Sequence, residues 1–123
     1  MNCRATRAAC GAVFLLPLVL GLGACAPANP GEQVWVKKCA GCHGSDGRGE
    51  TKFAQGRPFA NLTDDRWKHG DSHEAIVRLI TEGDEKSPMP AYRDRLTAEQ
   101  IEAVSRYAES LSRAARQARK SVP

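Results

Sequence analysis

Apolar residues fall along this chain in four groups, each with its own spacing. The first is continuous: Ala12 to Leu22 reads AVFLLPLVLGL, behind Arg4 and Arg7. About eleven residues interrupted by Pro17 fall short of the roughly 20 that span a bilayer as a helix. Charge followed by an apolar run is instead the order of an export signal. The second group, Val34 and Trp35 in GEQVWVKKCAGCH, has Glu32 near its start and predicts a helix from Gly31 to His43. In the third, Ile76, Leu79 and Ile80 share one helical face. There Asp71 and Glu74 of DSHE form a capping-box-like pair at the start, and Gly83 is placed to end the helix. The fourth is a stripe of Ile101, Val104, Ala108 and Leu111 flanked by Tyr107, opened by Thr97 and Gln100 of TAEQ. No Val/Ile-rich strand run occurs between them, so the expected class is all-α. Helices this short hold only by packing on one another or on something else.

Composition narrows what that something is. With 123 residues, 26% charged and 41% hydrophobic, the chain is long enough for one small domain. Aromatics make up only 6%, and small scaffolds lean on a metal, a disulfide or a cofactor to complete their core. Loss of Arg4 and Arg7 with the leader lowers Lys+Arg from 18 to 16, against 14 Asp+Glu. The excess sits in residues 113–123, a tail with Arg113, Arg116, Arg119 and Lys120 and no acid. That tail reads as a solvated helix end favoured by the helix dipole; contact with anionic headgroups is its functional alternative. Nucleic acid is not expected as a partner of an exported chain.

At the leader's end, LGAC at residues 22–25 resembles the bacterial lipobox, which implies a signal peptide of residues 1–24 and lipidation of Cys25. The rival is cleavage after ACA, which would leave Pro27 just beyond the cut. Residues 25–30 then form the lipidated cysteine and a short stiff linker, followed by a domain over residues 31–112. Two or three acyl chains hold a protein to a membrane far more firmly than one. The expected location is therefore the bacterial periplasm, at a membrane surface.

Of five cysteines, Cys3 and Cys10 leave with the leader and Cys25 takes lipid, so Cys39 and Cys42 remain as thiols. They belong to CAGCH, and C-x-x-C-H is the haem c attachment sequence. Both sulfurs are expected to form thioethers to one haem, with His43 as the proximal iron ligand. A thioredoxin-like pair would want a βαβ surround that is missing. A zinc site could recruit His69 and His73, but the separation is about twice that of a zinc finger and leaves His43 and Met89 without purpose. Met89 sits in SPMP between Pro88 and Pro90, and apart from Met1 it is the only thioether. The prolines stiffen a side chain ordinarily valued for adaptability. An iron held by imidazole on one face needs a second ligand, and His/Met ligation raises the potential of cytochromes c. Gap filling by Met89, or a second imidazole from His69 or His73, are the rivals. GSDGRG, Gly44 to Gly49, has neither the dinucleotide spacing nor a Walker lysine.

From Gly31 to Leu111 the sequence resembles a class I cytochrome c, most like the monohaem domains of the cbb-type oxidase subunit group. The matching segments are GEQVWVKKCAGCHGSDGRG, NLTDDRWKHG, AIVRLITEG, MPAY and LTAEQIEAVSRYAESL. This resemblance implies crossed terminal helices, with Gly31, Trp35 and Tyr107 at the contact. It also implies a Trp67 indole facing a haem propionate, with core packing as the rival role, and a backbone carbonyl that orients the proximal imidazole. The family often reads P-N-L there; this chain has ANL at residues 60–62 with Pro58 two positions earlier, so either Pro58 or Ala60 supplies that carbonyl. Arg57, Lys68 and His69 read as solvated surface charge, with contact to the propionates as the alternative role. The expected function is one-electron transfer to and from redox partner proteins, with no small-molecule substrate and no enzymatic step. The competing class is a haem enzyme or gas-binding module in which peroxide, CO or NO displaces Met89.

Overall fold

The chain enters its first helix through a cap made of two neighbours. Asn29 Oδ1 accepts from the Gly31 N–H at 2.9 Å, and Pro30, which has no N–H to satisfy, takes the first helical position. Residues 29–122 are described by the structure, a computed structural model, and they contain four α-helices and no strands. The leader, Cys25 and its linker lie outside the described residues, apart from Asn29 and Pro30.

The helix expected over residues 31–43 is two. α1 spans Pro30–Lys38 and α2 is the single turn Ala40–His43, with Cys39 between them. The cause is local: the Cys42 N–H bonds the Cys39 carbonyl at 3.1 Å, one residue short of the helical ladder. The released Lys38 carbonyl accepts from the Tyr92 hydroxyl at 3.0 Å. A side chain inserted into the ladder is a recognised cause of a helix break.

After α2 a long loop carries two 3₁₀ turns, Lys52–Ala54 and Pro58–Ala60. α3 spans His73–Glu82. Its N-cap is Ser72, whose Oγ accepts from the Ala75 N–H at 3.2 Å; the expected cap, Asp71, bonds Arg116 instead. Gly83 ends the helix as anticipated. α4 spans Ala98–Lys120 and opens with the expected capping box of Thr97 and Gln100. It continues well past Leu111, so the basic segment from residue 113 to Lys120 is the helix end that its charge suggested.

α4 is the spine on which α1 and α3 pack. At the α1–α4 contact the backbones come so close that a Cβ on Gly31 would sit 2.2 Å from the Ala103 carbonyl oxygen. Trp35 is buried beside it with its ring centroid 5.8 Å from that of Tyr107. The crossing therefore uses the three residues the resemblance placed there. Val34, Trp35, Ile76, Ile80, Ile101, Val104 and Ala108 form the buried cluster. Seven residues make a thin core. Four of them, Trp35, Ile76, Ile80 and Ala108, also line a cavity of ≈ 420 Å³ between the helices and the long loop.

Candidate functional site

That cavity gathers every residue singled out for a cofactor within the described region: Cys39, Cys42, His43, Pro58, Trp67 and Met89 all line it. α1 and α2 deliver the CAGCH end. Cys39 is half-buried and Cys42 exposed, and both are free thiols. Burial, with the nearby Cys42 adding to it, pushes the Cys39 thiol up to about 11, so it stays protonated at neutral pH.

His43 is held by the loop that follows it. Its Nδ1 lies 2.8 Å from the Ala60 carbonyl oxygen. A carbonyl only accepts, so Nδ1 carries the proton and Nε2 keeps its lone pair for a ligand. Burial lowers the His43 pKa, opposed by that same hydrogen bond, and the neutral ring is the form that can bind iron. Between the two candidates the acceptor is thus Ala60. The Pro58 carbonyl accepts from the Asn61 N–H at 3.2 Å, and Pro58 serves as a wall of the cavity. The glycine loop makes this possible. Gly49 donates to the His43 carbonyl at 2.7 Å, and Leu62 donates to Gly47 at 2.8 Å, which lays residues 60–62 against the turn after α2.

The opposite wall comes from the loop after α3. Met89 is partly buried and packs against the core cluster. Its carbonyl accepts from the Asp84 N–H at 3.0 Å, and Asp84 is in turn bonded by Lys68 and His69. The Lys68 hydrogen bond, aided by His69, holds the Asp84 carboxyl well below the usual carboxylate range. The weighed zinc arrangement is not assembled. His69 pairs with Asp84, His73 lies between Glu102 and Glu109, and among the described residues no group of three or more metal-ligating side chains forms.

Whether these residues fit a haem can be tested on the cavity itself. Its volume lies within the ~300–1,000 Å³ of cofactor sites. The Trp67 indole N–H is buried with no hydrogen-bond partner among the described residues, whereas that of Trp35 donates to Gly44 at 3.0 Å. A buried donor left alone is costly, and an acceptor brought by a bound group would satisfy it. Phe53 and Phe59, which line the cavity, are 69% and 57% exposed, apolar surface that an occupant would cover. The residues fit. Phe53, Phe59, Tyr92 and Asp84 were not singled out from sequence. Two of the few aromatics crowded into a short loop, and an Asp directly after a helix-ending glycine, were the available signals.

Residues 26–107 match the family model described as Cytochrome C oxidase, cbb3-type, subunit III. The cbb3-type cytochrome c oxidase subunit FixP of Bradyrhizobium diazoefficiens is 37% identical over 84 residues, which cover 68% of this chain and 27% of that protein. Subunit CcoP of Rubrivivax gelatinosus is 38% identical over 82 residues, 67% of this chain and 25% of that one. The chain therefore spans about a quarter of the length of these curated relatives. Among solved structures, cytochrome c6 from the diatom Phaeodactylum tricornutum superposes with a TM-score of 0.57 at 28% identity, covering 70% of this chain and 94% of that one.

Proposed function

This chain belongs to the family described as Cytochrome C oxidase, cbb3-type, subunit III, with the class I cytochrome c fold and covalent haem c of that family, and on that premise we propose His43 and Met89 as the axial ligands of a one-electron carrier. Bound haem c supplies a ferric/ferrous couple. The chain's own residues do the rest. Cys39 and Cys42 attach the group covalently, and Ala60 holds the His43 ring in the tautomer whose Nε2 can bind. Trp67 offers its unpartnered indole N–H to a propionate.

The observation that carries this reading is that a tautomer-locked imidazole and the only internal methionine line one cavity rimmed by both cysteines. Replacing Met89 by alanine is expected to lower the reduction potential and abolish the weak long-wavelength sulfur-to-iron band of the ferric protein. An unchanged band refutes the assignment. Slow, incomplete carbon monoxide binding to the reduced wild type is the mark of a carrier; fast, complete binding moves the protein to the gas-binding class.

The donor and acceptor are redox proteins, and the relatives' place as oxidase subunits supports a position in an electron-transfer chain. We place the protein in the bacterial periplasm, held to a membrane by lipid on Cys25, because Arg4 and Arg7 followed by an apolar run have the order of an export signal and LGAC precedes the domain. Incorporation of a labelled fatty acid, lost on Cys25→Ala, checks the anchor.

A further inference from the structure

The segment that carries Met89 is closed on a single side chain. Within it, the Asp84 N–H donates to the Met89 carbonyl at 3.0 Å, the Ser87 N–H donates to the Asp84 carbonyl at 3.1 Å, and Asp84 Oδ1 accepts from the Lys86 N–H at 3.0 Å. The other carboxylate oxygen leaves the segment. Asp84 Oδ2 accepts from Lys68 Nζ at 2.8 Å and lies 3.0 Å from His69 Nε2. Only 9% of the Asp84 side chain is exposed, so these bonds are shielded in a way most surface ion pairs are not. Among the described residues they are the only side-chain hydrogen bonds that tie residues 84–90 to another part of the chain.

Lys68 and His69 directly follow Trp67, so the partner of this loop is the other wall of the cavity. Pro88 and Pro90 stiffen the backbone around Met89, and the Tyr92 N–H bond to the Ile80 carbonyl at 3.0 Å fixes the loop's far end, but neither ties residues 84–90 to the wall that carries Trp67. We infer that Asp84, bridged to Lys68 and His69, is the positioning residue that fastens the Met89 loop across the cavity mouth and keeps the sulfur from leaving. This inference rests on Met89 being the second axial ligand. It adds that the hold on Met89 comes from a clasp distant in sequence and not from the prolines alone.

The test uses the full-chain holoprotein. Two transitions are followed on heating the ferric form, the long-wavelength sulfur-to-iron band and the helical circular dichroism, and carbon monoxide binding to the reduced form is timed. In Asp84→Ala the band is expected to bleach well before the helices melt, and carbon monoxide to bind about tenfold faster, as follows when a local opening becomes more populated. Should Asp84→Ala fail to mature, the pair Lys68→Leu and His69→Leu removes both donors to Asp84 Oδ2, leaves the contacts inside residues 84–89, and is expected to behave the same way. A band that bleaches together with the helices as in wild type, or a carbon monoxide rate within twofold of wild type, overturns the clasp. A wild-type protein with no such band overturns the Met89 ligation beneath it, and the two failures are thereby told apart.

Discussion

Gly49 is the residue on which the imidazole's orientation turns. It has φ +71°, and a Cβ there would lie 2.8 Å from the Ala60 carbonyl carbon and 2.9 Å from its oxygen, the atom that accepts from His43. Gly49→Ala thus costs about 1–2 kcal/mol for a left-handed L-residue and pushes the acceptor away from the ring as well. The expected result is a lower urea midpoint and a shifted His43 Nδ1–H resonance; an unmoved resonance shows that the carbonyl did not shift. The same site shows what can be read from letters. CAGCH and Met89 could be singled out and are found on one cavity because the chemistry expected of them resides in side chains. The choice of Ala60 over Pro58 was not legible, because a backbone acceptor has no side-chain signature and is selected by where the glycine loop lays residues 60–62. Asp84 was missed for a related reason: its donors are 15 and 16 residues away.

Between elements, the contact with the clearest pH response joins α3 to α4. His73, at the start of α3, has Nε2 3.0 Å from both carboxylate oxygens of Glu102 and Nδ1 3.3 Å from Glu109, while Arg106 shares Glu102 at 2.7 Å. The hydrogen bond to Glu102 raises the His73 pKa, burial opposes it, and both carboxylates add attraction. A histidine whose folded pKa lies above its unfolded value stabilises fully below about pH 6.5, and loses that contribution as pH climbs through the folded value. The informative quantity is the difference between wild type and His73→Gln, in which the titrations that the two proteins share cancel. That difference in urea midpoint is expected to be largest near about pH 5.5 and to shrink toward about pH 8. A difference that stays constant over that range removes His73 from the account. Helix existence was legible here, since period and capping residues are local; Thr97 and Gln100 form the box their spacing suggested. Caps and breaks set by distant partners were not. Asp71 gave up its capping role to Arg116, and α1 broke where Tyr92 took the Lys38 carbonyl.

Across the whole molecule, the basic end of the chain turns out to be employed. The family match stops at Tyr107 while α4 continues to Lys120, a helix end legible from its basic charge although the apolar stripe stops at Leu111. Ala, Arg and Gln simply propagate the helix. Its last turns pass over residues 63–71. Arg116 Nη2 meets Asp71 at 2.7 Å, and Arg119 bonds the Thr63 carbonyl and reaches Asp65 at 3.2 Å. Arg116 also holds the Asp71 carboxyl below its usual range. Two of the tail's four cations therefore neutralise acids of the segment that carries Trp67, Lys68 and His69, which leaves Arg113 and Lys120 for any contact with anionic headgroups. Exposed ion pairs are individually weak, so the effect belongs in local opening more than in global stability. The double variant Arg116→Gln, Arg119→Gln is expected to speed amide exchange over residues 63–71 and leave the α1–α4 contact unchanged. Because the pairs are exposed, the difference from wild type should fade as salt rises toward about 1 M, where charges are screened within about 3 Å. A difference that persists at high salt assigns the hold to the packed stems of the arginines, and no difference at low salt removes the restraint altogether.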